Sequence, residues 1–364
     1  MLQPTDIYEK LSRDVVGQDA AVRLMSVAIH KHLISHSTGN VLIIGNSGTG
    51  KTTLLRAVGR FLSGTEGYER FSTMVRMNAN VLADLTAKGG QAHVLLDRLA
   101  MQAMRTLRER AHLEAMREYV SHGIVCIDEV DKIRAVVRDE PNVKGIMAQD
   151  SLLTLLEDEH VQMSMPYYNE GKWQRQNVVL NTKHILFIAA GAFEDLYSQV
   201  LNRVVKKDGW DSLSMLVERF DGTLESRTMF RLQEHVSHED LFSYGMMPQF
   251  MARFSNVIML KDLRAQDLAR IFTEVPDAIW PAAENYFKGF GVDLRITRDA
   301  LEYLMDRAAE NSRMGARALW ELFGKVMAEY EFDPRGTDAV EQREGQDVLE
   351  LTKEMIEAAV PRQS

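Results

Sequence analysis

Val41-Leu-Ile-Ile-Gly-Asn-Ser-Gly-Thr-Gly-Lys-Thr-Thr53 joins a short apolar run to a glycine-rich turn, and the helix-like stretch Thr52–Leu62 follows at once. A turn of the form GxxxxGK[ST] between a strand and a helix lets backbone N–H groups point inward around phosphates, and the helix N-terminus adds positive potential. On this reading Asn46, Ser47, Gly48, Thr49, Gly50, Lys51, Thr52 and Thr53 form a phosphate cradle. Lys51 would reach the β- and γ-phosphates of ATP, and the Thr52 hydroxyl would ligate Mg2+. A strand that ends in such a turn also predicts an α/β fold.

Working outward, further apolar runs repeat the strand signal: Phe71–Met77, Gly123–Ile127, His184–Ile188 and Val257–Leu260. They are nearly continuous rather than alternating, as strands buried on both faces of a parallel sheet should be. Helical patterns lie between them, so we expect a five-stranded parallel sheet with crossover helices. One long helix is expected from about Val94 to Tyr119, with Leu95, Leu96, Leu99, Met104 and Leu107 on its apolar side. After residue 262 helical periodicity takes over. Thr297 reads as a helix cap before Ala300, Leu301, Leu304, Met305 and Ala308. Ala316, Leu319, Trp320, Phe323 and Met327 form a second apolar face, and Val348–Leu351 a short strand. The expected division is an α/β nucleotide-binding domain over 1–262 and a smaller, mostly helical domain over 263–364.

Asp128-Glu129 closes the third apolar run, which puts two carboxylates at the C-terminal end of a parallel strand, where such sheets bind ligands. Asp128 would hold Mg2+, and Glu129 would polarise the attacking water.

Composition narrows the classes further. The 364 residues carry 43 Lys and Arg against 52 Asp and Glu, a formal charge of −9 that argues against bulk electrostatic binding to nucleic acid. The single cysteine, Cys126, rules out an intramolecular disulfide and a multi-cysteine zinc module, and fits a cytoplasmic setting. No secretory signal and no run of about eighteen apolar residues is visible, so no membrane association is expected.

Together these motifs resemble the ClpX group of AAA+ ATPases and, less closely, HslU. Asp14-Val-Val-Gly-Gln18 resembles the box that lines the adenine pocket, which points to Val16 and Gly17. Gly123–Ile133 is similar to the Mg2+-binding strand, and His184–Phe193 to the strand leading to the first sensor. Gly245-Met-Met-Pro-Gln-Phe-Met-Ala-Arg253-Phe resembles the segment that carries the arginine finger, and Met314-Gly-Ala-Arg317 the second sensor. The resemblance implies ATP hydrolysis at subunit interfaces of a ring of identical chains, expected to be hexameric. In that ring Arg253 acts in trans and Arg317 touches the phosphates from the smaller domain.

The chain also departs from that group. A chain that starts at the ATPase module with one cysteine is expected to lack the N-terminal zinc domain. Where the group has an aromatic pore loop, Leu85-Thr-Ala-Lys-Gly-Gly-Gln91 has none, and Ala87 stands at the tyrosine position. No isoleucine-glycine-phenylalanine occurs between Leu196 and His235, which argues against peptidase docking. The first-sensor position is Ala190 or Gly191, and neither side chain can hold a water. Met163–Gln176 reads as an insertion carrying Tyr167, Tyr168 and Trp173, either a partner-binding hairpin or one packed on its own aromatics.

The expectation is therefore an ATP-driven remodelling motor for a dedicated protein partner rather than a general degradative unfoldase. Two alternatives stay open: a nucleotide-switch scaffold whose ring or filament assembly is the output, and a DNA-associated loader.

Overall fold

A computed structural model describes residues 2–34, 39–157, 160–228, 230–311 and 313–361, the side chains of 212, 214–218, 225, 227 and 228 excepted. Part of the Ser212–Leu216 stretch, considered above for peptidase docking, thus lies outside the described residues. The chain divides into two compact units. The first holds Met1–Gly45, Lys51–Arg203 and Leu232–Leu260; the second holds Asn46–Gly50, Val204–Arg231 and Lys261–Ser364.

The first unit opens with helices α1 (Pro4–Ser12) and α2 (Asp19–Leu33), then strand β1 (Val41–Ile44) and helix α3 (Lys51–Ser63). Strand β2 (Met74–Asn78) leads into α4 (Ala79–Ala87), α5 (Val94–Leu107) and α6 (Leu113–Ser121), and β3 (Ile124–Asp128) into α7 (Val143–Leu156). A hairpin, β4 (His160–Asn169) and β5 (Lys172–Asn181), precedes β6 (Leu186–Gly191) and α8 (Glu194–Asp208). Short helices α9 (Leu232–His235), α10 (His238–Ser243) and α11 (Pro248–Met251) run up to β7 (Asn256–Met259).

The sheet order is β7-β1-β6-β3-β2, and every pairing is parallel. Both faces are covered, which is why the strands read as unbroken apolar runs. Val41, Ile43, Ile124, Cys126, Ile188 and Ala190 share a core with Ile7, Met25, Ile29 and Leu55 from α1, α2 and α3. Leu42, Ile44, Val125 and Ile127, on the other face, are also buried. Burial pushes the Cys126 thiol far above its ordinary range, so it serves as packing rather than as a reactive group.

Several sequence expectations shift. β2 and β6 start later than expected and run to Asn78 and Gly191, so each strand carries its polar or glycine end into the loop region above the sheet. The single helix expected over Val94–Tyr119 is two. Arg108 turns left-handed (φ 52°), and His112 caps the second helix by accepting the Ala115 N–H on Nδ1 at 3.2 Å.

In the second unit α12 (Ala265–Thr273), α13 (Ile279–Gly289), α14 (Arg298–Glu310), α15 (Ala316–Phe332) and α16 (Lys353–Ala359) pack around Leu268, Phe272, Phe287, Leu304, Leu319 and Phe323. They share that core with a three-stranded sheet, β8 (Val292–Ile296), β9 (Val340–Arg343) and β10 (Gln346–Leu351). Only β10 was anticipated. β8 buries alternate residues over one turn's length of sequence, too short a pattern to separate from a loop. Thr297 does occupy the cap position of α14, but its hydroxyl lies 3.4 Å from the Leu351 carbonyl. Trp320, read as part of an apolar face, is exposed, because Ala318, Leu319, Phe323, Val326 and Met327 already fill that side of α15.

Candidate nucleotide site

Within the first unit, β1 hands the chain to the glycine-rich turn at Gly45, whose N–H donates to the Gly191 carbonyl at 3.3 Å. Lys51 is the first residue of α3, and its ammonium donates to the Gly45 carbonyl at 2.6 Å, folding back over the turn it follows. Thr52 is half-buried and Thr53 exposed at the same helix start. Gly17 adopts φ 75° between buried Val16 and Gln18, just ahead of α2.

The tip of the turn, Asn46–Gly50, belongs to the second unit, and the hydrogen bonds explain why. The Asn46 amide donates to Asp262 at 2.8 Å, and the Gly48 carbonyl accepts the Ala316 N–H at 3.0 Å. Asp262 is largely buried, which pushes its carboxyl above the usual range while the Asn46 bond opposes that rise. Gly48 sits at φ 70°, and a Cβ there would come within 2.0 Å of the Met314 carbonyl. Gly315 mirrors it, its own Cβ site 2.7 Å from the Gly48 carbonyl. Two glycines are needed for two backbones to approach this closely. Arg317, exposed in the first turn of α15, is set by its N–H bond to Met314 at 3.1 Å.

The carboxylates stand two strands from β1, on the far side of β6, roughly 10 Å away by strand spacing. Asp128 ends β3 beside Asn78 of β2 and Ala190 of β6. Glu129 follows in the left-handed region (φ 57°, ψ 39°), uncommon for a residue with a side chain, and its N–H donates to Asp128 Oδ1 at 3.0 Å. Its carboxylate accepts from the Asn78 amide at 2.7 Å. Asn78 caps α4 through its other amide atom, accepting the Asn80 N–H at 2.8 Å, and that bond settles which end of the amide faces Glu129. Asn78 was missed in the sequence, where a lone Asn before a helix signals only a cap.

Asp131, one turn later, is buried and accepts the Ala192 N–H at 3.1 Å. A Cβ at Gly191 would meet the Phe193 ring at 2.6 Å and Asp131 at 2.7 Å, so this position has no room for a side chain.

Arg253 lies elsewhere. It precedes β7, at the amino edge of the parallel sheet, whereas Lys51, Asp128 and Glu129 follow the carboxyl ends of their strands. The Asn40 amide holds its carbonyl at 3.0 Å, and its guanidinium pairs with Glu157 at the end of α7. A four-residue strand spans roughly 13 Å. Arg253 thus lies at the opposite end of the sheet from Lys51, Asp128 and Glu129.

The model for the AAA domain (Cdc48 subfamily) matches residues 36–257, more than half of the chain. The chain belongs to the AAA family. Membership makes it a nucleotide-binding ATPase of α/β AAA+ P-loop fold. Similar proteins include the ATP-dependent Clp protease ATP-binding subunit ClpX of Porphyromonas gingivalis, 29% identical over 91% of this chain and 77% of that protein. The ClpX of Bacteroides fragilis is 28% identical over 98% and 82%, and that of Azotobacter vinelandii 28% over 97% and 81%. The AAA chain is therefore ClpX-like over most of its length. No helix among the described residues is long and apolar enough to cross a membrane.

Proposed function

We propose that this AAA ATPase is one subunit of an ATP-driven protein-remodelling ring, hexameric in its working form and located in the cytoplasm. The observation that carries the reading is the position of Arg253 at the opposite sheet edge from Lys51, Asp128 and Glu129. An arginine so placed serves catalysis only in a neighbouring subunit's site, which supports hydrolysis between subunits.

In this reading residues 1–262 bind nucleotide and 263–364 form the lid. Val16 and Gly17 line the base pocket. Asn46, Ser47, Gly48, Thr49, Gly50, Lys51, Thr52 and Thr53 cradle the phosphates, with Arg317 reaching them from the lid. The hard oxygen donors of Thr52 and Asp128 suit Mg2+, which would neutralise phosphate charge. Glu129 orients the attacking water and takes its proton, and Asn78 holds that carboxylate in place through the 2.7 Å bond. Arg253 of the next subunit stabilises the charge developing on the γ-phosphate.

The partner is a dedicated protein. The pore-facing turn supports this: α4 ends in a turn where Gly90 N–H bonds Leu85 O at 2.9 Å, and Ala87, Lys88, Gly89, Gly90 and Gln91 are exposed with no aromatic among them. Such a turn offers little apolar grip on arbitrary polypeptide. The ClpX relatives are ATP-binding subunits of a Clp protease; the lack of an isoleucine-glycine-phenylalanine between Leu196 and His235 argues against peptidase docking by this chain. A Glu129→Gln chain should bind ATP, hold the ring together and retain the partner in a pull-down. Full residual turnover would remove the assignment.

The same turn gives the scaffold reading its support. Replacing Lys88, Gly89 and Gly90 decides between them, since a threading motor should lose remodelling whereas a scaffold should still assemble.

A further inference from the structure

Gln149 lies in the middle of α7, fully buried, and neither the phosphate turn nor the carboxylates touch it. Both ends of its amide are used. Nε2 donates to the Ile133 carbonyl at 2.7 Å, and Oε1 accepts the Met247 N–H at 3.0 Å. Ile133 closes the short turn that begins right after Asp128 and Glu129. Met247 caps α11, whose single helical turn runs through Phe250 to Arg253, with the Arg253 N–H on the Phe250 carbonyl at 3.2 Å. One side chain therefore ties the turn behind a subunit's own carboxylates to the rigid segment carrying the arginine it presents to a neighbour.

The surroundings make this junction stiff. The Ala135 N–H donates to the Gly245 carbonyl at 2.7 Å. Gly245 takes φ 107°, and a Cβ there would approach the Val136 carbonyl to 2.4 Å, so the two segments meet backbone to backbone. Arg134 covers the Tyr244 ring at 4.6 Å. The buried Phe250 ring packs edge-on against Phe254, fixing the far end of the same segment. A buried amide with both ends satisfied transmits displacement, because losing either bond strands a buried backbone group.

We infer that Gln149 is a positioning residue that couples occupancy of a subunit's own nucleotide site to the placement of Arg253. This rests on the proposed roles of Asp128, Glu129 and Arg253. The path is short: nucleotide bound at the phosphate turn engages Asp128 and Glu129, the turn to Ile133 shifts, and Gln149 passes the shift to Met247 and so to Arg253. Each subunit would then offer its arginine according to its own nucleotide state.

Hydrogen–deuterium exchange on the full chain tests this, with and without a non-hydrolysable ATP analogue and Mg2+. In the unaltered chain the analogue should change exchange in both 51–63 and 245–253. In Gln149→Met, which fills the volume without hydrogen bonds, the response at 245–253 should fall by at least half while that at 51–63 persists; the Ala135–Gly245 bond carries the remainder. Gln149→Leu likewise removes both hydrogen bonds at an apolar, slightly smaller volume, so it should show the same selective loss even if the methionine variant folds poorly. Turnover should drop between about tenfold and about a hundredfold, as misplacement of a catalytic group by about an ångström does, with KM for ATP nearly unchanged. An undiminished response at 245–253 in a folded variant overturns the coupling. Absence of any response at 51–63 in the unaltered chain overturns the nucleotide-site reading itself, and an active Arg253→Ala chain overturns the finger.

Discussion

Two turns of the first unit, Asp128–Asp131 after β3 and Ala87–Gln91 after α4, differ in how they hold their shape. The first places a non-glycine residue, Glu129, at φ 57° and keeps it there with bonds from Asn78 and to Asp128. The second gives its left-handed position to Gly89 (φ 83°), closes on its own backbone and exposes every side chain from Ala87 to Gln91. Backbone strain persists only where the surroundings over-determine it, and it collects where chemistry is done. By that measure the first turn is built for one task, and the second is a relaxed end of a helix. The difference says where changes should hurt.

The largest separation is expected in turnover. Glu129→Gln should lower the ATPase rate by about 10²–10⁴-fold, the usual worth of a positioned general base. Lys88→Ala, in the relaxed turn, should leave the basal rate within about twofold. Equal losses in a steady-state phosphate-release assay would erase the distinction between the two turns.

Glycine substitutions sharpen it next. Gly245→Ala forces a side chain into φ 107° and against the Val136 carbonyl, and should cost about 3 kcal/mol or more. Gly89→Ala meets nothing within 4 Å and should cost only the left-handed penalty of about 1 kcal/mol. Urea midpoints of the two variants check the ordering. A larger loss at Gly89 would mean that the exposed turn is the more constrained.

The same contrast explains what could be read in advance. The positions of Lys51 and Thr52 at a helix start and of Asp128 and Glu129 at a strand end were legible because a fixed spacing beside apolar runs leaves few other arrangements for those residues. The sheet was legible because strands buried on both faces show as continuous apolar blocks. Asn78 and Gln149 were not, since their importance lies in partners 51 and 98 residues away in sequence. The break at Arg108 was hidden by residues that are good helix formers on either side of a left-handed turn. The first-sensor position read as Ala190 or Gly191; why Gly191 is a glycine appears only with Phe193 and Asp131 packed around it.

A smaller effect separates buried and exposed groups by pH. His32 is fully buried, its Nε2 lies 3.0 Å from the His122 carbonyl, and burial pushes its pKa down to about 3. The unfolded chain takes up a proton near pH 6.5 that the folded chain refuses. Stability from this group is thus complete above about pH 6.5 and is lost as pH falls toward 3, by up to about 1.4 kcal/mol per unit. His32→Gln should remove about 1 kcal/mol of the difference in unfolding free energy between pH 6.5 and 5.5. Burial lowers the pKa of His122 as well, so some dependence should remain. An unchanged pH slope would show that His32 does not carry the term.

The hairpin β4–β5 contains both kinds of region in one element, and so gives the finest test. Its base is buried through Val161, Met163, Met165, Val178 and Leu180, whereas Lys172–Asn177 are exposed throughout. A two-residue turn, Glu170 (φ 47°) and Gly171 (φ 78°), joins the strands in the mirror-image geometry suited to their twist. Tyr168 and Trp173 face each other across the strands at 5.4 Å, edge to face, and the Tyr167 hydroxyl donates to Gln174 at 2.7 Å. The tip therefore packs partly on its own aromatics, yet Trp173 keeps 44% of its surface exposed. Trp173→Ala should cost about 1 kcal/mol or less, the worth of one cross-strand aromatic pair. Met165→Ala, at the buried base, should cost about 2–5 kcal/mol. With folding and ATPase intact in the Trp173 variant, loss of the protein partner would assign the tip to recognition. Undiminished partner binding would leave Trp173 a packing residue and confine recognition to other surfaces.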